Sequence, residues 1–213
     1  MIHSTHMDIL QYIKSFPIKD FKRGEVLLKK GDSISTLMAI RSGYVKVTSI
    51  ADTGFERLTW IAGRYDIAPT EQLFTKQGES RFYYTGLTDG EYYSVHKKDF
   101  LEKAFNEPRL MTDIARTMSS HYDDSLQRVD AIEAVSVKSR LQQTLLYLAQ
   151  RLSSDIEVNI FEYGLRLTHS DLASMIGSTR ETTSLILSEL RAEKVIHYTR
   201  TCFIINTARI REE

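Results

Sequence analysis

Two neighbouring side chains of opposite charge, Arg180 and Glu181, lie where a helix is expected to start. An arginine here can donate two hydrogen bonds to the N7 and O6 acceptors of guanine, and a glutamate can accept one from the amino group of cytosine. Helices that read DNA present the side chains of their first turns to base edges in the major groove. The pair is therefore a candidate for sequence-specific recognition of double-stranded DNA, and the elements around it decide between this and a purely structural role.

Residues 167–190 predict the two helices that would hold this pair. We expect Thr168 to cap the first helix, with Asp171 returning the contact, and Gly177 to end it in a left-handed conformation. Ser178 or Thr179 then caps the second helix, so that the two helices meet at a tight turn.

Helical periodicity divides the second helix into two faces. The buried face is predicted to hold Thr183, Ile186, Leu187 and Leu190. The opposite face is predicted to present Arg180, Glu181, Ser184, Leu185 and Ser188. Residues 194–198 and 203–205 then predict a two-stranded hairpin, which after such a helix is the wing of a winged helix-turn-helix.

A competing interpretation explains Arg180 and Glu181 by helix capping alone, without DNA binding. Ser178 and Glu181 fit the S-x-x-E pattern of a capping box, which would leave Arg180 as a solvated charge of the first turn. The hairpin that follows favours the DNA-reading interpretation, because a capping box alone does not require a wing.

The region before these helices has a different pattern. Between Phe21 and Phe100, short runs of β-branched and aromatic residues are separated by glycines, which predicts a small antiparallel barrel or roll. After Pro108, neither glycine nor proline occurs until Gly164, and apolar residues recur at intervals of three and four. This spacing predicts a long helix, and residues 138–152 predict a second one.

The apolar stripe of the long helix predicts a dimer interface, because a stripe of about seven turns can bury against a second copy of itself. The candidate interface residues are Ile114, Met118, Tyr122, Leu126, Val129 and Ile132. The alternative is a helix that packs only on its own roll.

Composition excludes several other classes. The chain of 213 residues has 28 basic and 28 acidic side chains, so its net charge points to no particular partner. One cysteine, Cys202, excludes an internal disulfide, a cysteine-rich zinc site and a four-cysteine iron–sulfur cluster within the chain, and a reducing cytoplasm is the expected compartment. We find no signal peptide, apolar membrane span, catalytic motif or metal-ligand spacing, and we leave residues 1–6 out of the fold.

Leu172-Ala173, Gly177 and Arg180-Glu181-Thr182 resemble the helix-turn-helix of the bacterial Crp/Fnr regulators. Residues 21–32 and 40–47 are similar to the first hairpin and the next strand pair of that family's β-roll. The resemblance implies an α+β fold: a roll domain over residues 7–106, a dimerisation helix and hinge over 107–137, and a winged helix-turn-helix over 138–213. It also implies a homodimer on a pseudo-palindromic operator, with RNA polymerase as a partner.

The effector site departs from the family pattern. Relatives that bind cyclic nucleotides hold the ribose and phosphate with a Gly-Glu pair and a later Arg-Ser or Arg-Thr pair. Here Arg81 matches the arginine and Glu71 the glutamate, but Thr70 replaces the glycine and Phe82 the hydroxyl residue. A second register places Pro69 and Thr70 on the Gly-Glu pair. We therefore expect no conventional cyclic AMP binding, and the effector is unknown; the aromatic side chains from Phe82 to Tyr84 either fill the roll or line another pocket.

The recognition helix departs as well, because Leu185 stands where relatives usually have an arginine one turn after the glutamate. An aliphatic side chain can contact a thymine methyl group but cannot donate to guanine. The resemblance places phosphate contacts at Thr168, Ser170, Thr179 and Thr182, and His169 is a further candidate for a DNA contact.

Two alternatives stay open at this point. The C-terminal domain of a ligand sensor could dock a protein instead of DNA. The chain could also be a haem-sensing or redox-sensing member of the family, with His96 or His121 as the haem ligand, although one cysteine disfavours an iron–sulfur cluster.

Overall fold

The computed structural model describes residues 7–51, 54–75, 78–152, 155–157, 160–163, 165, 167–198 and 203–210. The chain divides into two compact units, Met1–Tyr122 and Asp123–Glu213. The predicted wing cysteine, Cys202, lies outside the described residues.

The first unit contains two antiparallel four-stranded sheets between helical segments. Its elements are α1 (Met7–Ile13), β1 (Ile18–Phe21), β2 (Val26–Leu28), β3 (Thr36–Ser42), β4 (Val45–Ile50), β5 (Glu56–Ala62), β6 (Ile67–Ala68), β7 (Tyr83–Gly86), β8 (Gly90–His96), α2 (Lys97–Asn106) and α3 (Pro108–Glu133). One sheet has the order β1-β8-β3-β6 and the other β2-β7-β4-β5. This arrangement confirms the predicted antiparallel roll.

Strands that follow each other in the chain often belong to opposite sheets. β1 pairs with β8, with Ile18 opposite Tyr93, whereas β2 pairs with β7. The expected hairpin over residues 21–32 is therefore wrong, and β3 and β4 are likewise not paired with each other. The chain crosses from sheet to sheet because both inner faces must cover one core.

Glycine permits the close packing around Phe21, which is fully buried. A Cβ atom on Gly86 would overlap the backbone of Lys22, and one on Gly90 would overlap both the Phe21 ring and the carbonyl oxygen of Ser42. These two glycines at the ends of β7 and β8 therefore allow β1 to lie directly against the roll.

The two ends of α3 have different surroundings. Leu110 and Ile114 are buried in a core that the helices of the first unit form against the roll, and Met118 packs partly buried against the same core. The interface assignment is therefore wrong for Ile114, which has only 2% of its surface exposed, because its own chain already covers it. The helix ends at Glu133, so that Val135 lies beyond it.

Further along α3 the stripe is uncovered. Tyr122 is 64% exposed, Leu126 46% and Val129 48%, whereas Ile132 is half-buried. Large apolar side chains at intervals of four and three residues face solvent on this part of the helix, and this is the surface left for a second copy.

The second unit begins within α3 and adds helices and one sheet. Its further elements are α4 (Val137–Leu152), β9 (Asp155–Glu157), β10 (Ile160–Tyr163), α5 (His169–Ile176), α6 (Arg180–Ala192), β11 (Ile196–Tyr198), β12 (Phe203–Asn206) and a short 3₁₀ turn (Thr207–Arg209). The sheet order is β11-β12-β10-β9. The pairing of β11 with β12, with Ile196 opposite Ile205, confirms the predicted wing hairpin. The hairpin β9-β10 was not predicted, although the alternation of polar and apolar residues from Asp155 to Ile160 is its signal.

No helix within the described ranges is long and apolar enough to cross a bilayer. The same part of the chain contains no group of three or more histidine, cysteine, aspartate or glutamate side chains placed to hold a metal ion.

Candidate nucleic-acid interface

Helix α5 begins and ends as its sequence predicts. The Thr168 hydroxyl accepts a hydrogen bond from the Asp171 N–H (3.1 Å), and the Asp171 carboxylate accepts one from the Thr168 N–H (3.0 Å), which completes a capping box. Gly177 follows at φ 62° and ψ 47°, and its N–H donates to the Ala173 carbonyl. This left-handed conformation suits glycine and lets the next helix start within three residues.

Helix α6 is capped by Thr179, whose hydroxyl accepts from the Thr182 N–H at 3.2 Å. Arg180 is therefore the first helical residue and Glu181 the second. The alternative capping box of Ser178 and Glu181 is wrong, because it requires Ser178 at the cap and Glu181 three residues later. Glu181 is thus not used in capping.

The two faces of α6 agree with the predicted ones except at Ser184, which is half-buried rather than exposed. Thr183, Leu187 and Leu190 are fully buried, and Ile186 is nearly so. Arg180, Glu181, Leu185 and Ser188 are exposed, with 68% of Leu185 accessible. Within the described residues, neither the Arg180 side chain nor the Glu181 side chain has a hydrogen-bond or ion-pair partner. Both groups are therefore available to an external ligand.

Ser184 and His169 contact each other across the turn. The His169 Nδ1 and Ser184 Oγ atoms are 2.7 Å apart, and the imidazole meets the Tyr198 ring edge-on with centroids 6.4 Å apart. The Ser188 hydroxyl donates to the Ser184 carbonyl at 3.0 Å. These contacts link α5, α6 and the wing. Between Glu181 and Ser188, the exposed face of α6 therefore presents the apolar side chain of Leu185.

The predicted phosphate-contacting residues lie at the starts of the two helices. Thr168, Ser170 and Thr179 are exposed, and Thr182 is half-buried. The Thr179 hydroxyl also donates to the Thr182 hydroxyl at 3.0 Å. Unpaired backbone N–H groups and the positive end of the helix dipole favour an anion at these positions.

Two arginines without a distinctive sequence signal hold the end of α5. Arg128 Nη2 donates to the Met175 carbonyl and Arg140 Nε to the Ile176 carbonyl, both at 3.1 Å. Arg128 lies on α3 and Arg140 on α4. The turn before the recognition helix is therefore tied to both preceding helices.

The four candidate effector residues are not gathered in one cavity. Arg81 and Phe82 line an outer cavity of about 630 Å³ together with Lys30 and Ile50, but neither Glu71 nor Thr70 lines it. The Glu71 carboxylate accepts a hydrogen bond from the Tyr84 hydroxyl at 2.7 Å, and the Thr70 hydroxyl donates to the Ile67 carbonyl.

The aromatic residues of this segment differ in burial. Tyr84 is completely buried and fills the roll, and Phe82 packs partly buried against the same core. Burial and the neighbouring Glu71 carboxylate raise the pKa of the Tyr84 hydroxyl far above its ordinary value of 10.0. The roll interior beside Glu71 is thus occupied by a neutral phenol.

Models of two protein families match this chain. A Crp-like helix-turn-helix domain matches residues 139–213, and a cyclic nucleotide-binding domain matches residues 18–107. Together they cover most of the chain, in the order that the fold shows.

Curated relatives are regulatory proteins rather than enzymes. A global nitrogen regulator of Synechococcus elongatus is 28% identical over 181 residues, which cover 84% of this chain and 81% of that protein. An anaerobic regulatory protein of Pasteurella multocida is 26% identical over 81% of this chain, and the match spans 62% of its length. Among solved structures, FixK2 from Bradyrhizobium japonicum superimposes with a TM-score of 0.76 at 13% identity, over 91% of this chain and 93% of that one, and so shares the fold.

Proposed function

The chain belongs to the Crp/Fnr family of DNA-binding transcription regulators, and from that premise we propose that it acts as a homodimer on a pseudo-palindromic operator. One observation carries the proposal: the first turn of α6 presents Arg180 and Glu181 without partners within the described residues. A charged pair left exposed at the start of a helix-turn-helix recognition helix fits base edges in the major groove.

The proposed reading assigns a base contact to each exposed side chain. Arg180 pairs with a guanine and Glu181 with a cytosine, while Leu185 contacts a thymine methyl group. Thr168, Ser170, Thr179 and Thr182 bind the phosphates and fix the register, and Ser184, Ser188 and His169 line the same face. We therefore expect half-sites that keep the guanine and cytosine but carry thymine at the position that Leu185 meets.

The exposed stripe on α3 supports the dimer. Tyr122, Leu126 and Val129 lie on one face of the helix, with Met118 one turn earlier. Burying such a stripe against its symmetry mate is favourable, because apolar area is removed from water on both helices. Two heads related by a two-fold axis would bind half-sites about one helical turn of DNA apart.

We propose that an effector other than conventionally bound cyclic AMP controls the dimer. The Glu71 carboxylate already accepts from Tyr84, and Arg81 lines a cavity that does not include Glu71. The haem-sensing alternative has less support, because the His121 ring contacts Trp60 at 4.7 Å between centroids and pairs with Asp66 at 3.7 Å.

RNA polymerase is the proposed protein partner and the cytoplasm the proposed compartment, since a transcription regulator acts there. Docking of another protein by the C-terminal domain has no comparable observation in its favour.

Selection of binding sites from random duplex DNA tests this function. Purified protein is incubated with the library in the presence and absence of cyclic AMP, and bound duplexes are sequenced. We expect a two-fold symmetric motif that is independent of the nucleotide. Enrichment only with cyclic AMP would refute the altered effector site. No enrichment under either condition would favour either an obligatory effector absent from the assay or protein docking.

A further inference from the structure

We infer that Arg128 is a positioning residue that couples the orientation of the DNA-reading head to the dimerisation helix. The inference rests on the proposed dimer and operator. It assigns to a buried arginine on α3 the task of setting the distance between two recognition helices.

Arg128 contacts the C-terminal end of α5 directly. Arg128 is only 7% exposed, its Nη2 donates to the Met175 carbonyl at 3.1 Å, and its guanidinium lies 5.8 Å from the centre of the Tyr147 ring. The carbonyls in the last turn of a helix have no donors within the helix, and this end carries partial negative charge. A guanidinium is therefore well suited to hold it.

The contacted carbonyl lies at the turn into the recognition helix. Met175 and Ile176 are the last two residues of α5, and Gly177 turns the chain into α6 directly after them. Arg140 of α4 holds the Ile176 carbonyl at 3.1 Å. Fixing these two carbonyls fixes the point and direction from which the recognition helix starts.

Arg128 extends from the side of α3 away from the exposed apolar stripe. Leu126 and Val129 are exposed, whereas Arg128 between them is buried. With 3.6 residues per turn, Leu126 and Val129 share one side of the helix and Arg128 points to the other. One turn of α3 thus presents the proposed dimer surface on one side and, on the other, binds the helix that precedes the recognition helix.

A second contact stiffens the same helix. Arg151 at the end of α4 pairs with Asp124 of α3 at 3.0 Å, and both side chains are largely buried. The last turns of α3 are therefore tied both to α4 and to α5. In a dimer, two heads held in this way would engage two half-sites at one separation.

Operator spacing tests this coupling. The full-length protein and its Arg128→Met variant are titrated with the selected operator, with operators lengthened or shortened by one base pair between half-sites, and with a single half-site. Wild type should lose about tenfold in affinity when the spacing changes, because both heads no longer fit together. The Arg128→Met variant should bind the native spacing about tenfold more weakly and discriminate less than about threefold between spacings.

Its half-site affinity should stay within about twofold of wild type, because one head needs no fixed partner. Arg128→Lys should restore part of the spacing preference, since an ammonium group can still donate to a carbonyl. Arg109→Met, at an exposed arginine in the first turn of α3, should behave as wild type.

Unchanged spacing preference in an Arg128→Met dimer would overturn the inference, as would an equal loss on the half-site and on the full operator. If Arg128→Met does not fold, Arg128→Lys and Arg140→Met decide by the same spacing ratio. A wild type that sediments as a monomer or shows no symmetric operator would refute the proposed function instead.

Discussion

The hydroxyl of Tyr84 donates a 2.7 Å hydrogen bond to Oε1 of Glu71. Glu71 is the residue that the sequence places at the ribose-binding position of a nucleotide site, and Tyr84 is completely buried in the roll. The carboxylate that would bind a ribose therefore has a partner from its own chain. Because burial raises the pKa of Tyr84 and the Glu71 charge raises it further, the phenol stays protonated and able to donate.

Replacement of Tyr84 by phenylalanine should change how stability depends on alkaline pH. A pKa raised in the folded state contributes stability that is present below the ordinary value of 10.0 and is lost as pH rises above it, because the unfolded chain then ionises. At neutral pH the variant should be less stable by about 1 kcal/mol for the lost hydrogen bond. Above pH 10 its disadvantage should shrink.

Urea unfolding between neutral pH and pH 11 measures this difference. Tyr83→Phe is the matched control, since Tyr83 is only half-buried on the same strand. Parallel curves for wild type and Tyr84→Phe across the alkaline range would show that Tyr84 ionises normally in the folded protein.

Arg180→Ala should relax the operator at one position. The guanidinium has no partner within the described part of the chain, so its loss removes a base contact and leaves no buried group unsatisfied. We expect a cost of about 1–3 kcal/mol on the preferred operator and little cost when the guanine is already replaced. Titration of both duplexes with wild type and variant gives the coupling, and Arg57→Ala, at an exposed arginine of the roll, is the control. An equal loss on every sequence would mean that Arg180 binds phosphate.

Leu126→Asp should break the proposed dimer. The substitution places a charge in the middle of the exposed apolar stripe of α3, where a second helix would have to desolvate it. Sedimentation velocity should show a monomer. The far-ultraviolet circular dichroism spectrum should be the same as that of wild type, which would show that the variant is folded. Leu185→Asp is the matched control, because Leu185 is even more exposed but lies on the recognition helix. A dimeric Leu126→Asp variant would place the interface elsewhere.

The parts of the fold that sequence predicted well are those with local causes. Thr168, Asp171 and Gly177 determine where α5 starts and stops through contacts within a few residues, and the periodicity of α6 separates its faces without knowledge of the partner. Strand pairing in the roll is not local, because Ile18 pairs with Tyr93. The glycine turns therefore predicted where strands occur along the chain, but not which strands pair with each other.

The same distinction explains two further differences at the candidate interfaces. Periodicity places Ile114 on the apolar side of α3, but it cannot tell whether the roll or a second copy covers that side. Arg128 carries no sequence sign of burial, because an arginine on a helix is usually solvated. Its role becomes visible only when the Met175 carbonyl is found beside it.

The affinity for DNA should depend only weakly on salt. Residues 165–213 contain seven basic and six acidic side chains, so few cations are available to replace counterions on the phosphates. One of these basic residues, Arg191, has its guanidinium carbon 5.3 Å from the centre of the ring of Tyr198, which belongs to the wing strand β11. Because each phosphate contact adds about −0.9 to the slope of log affinity against log salt concentration, the magnitude of that slope should stay well below about 10. Titrations of the operator in a series of potassium chloride concentrations measure it, and a single half-site should give about half the slope. A steep slope on both duplexes would show that lysines or arginines outside residues 165–213 bind the DNA.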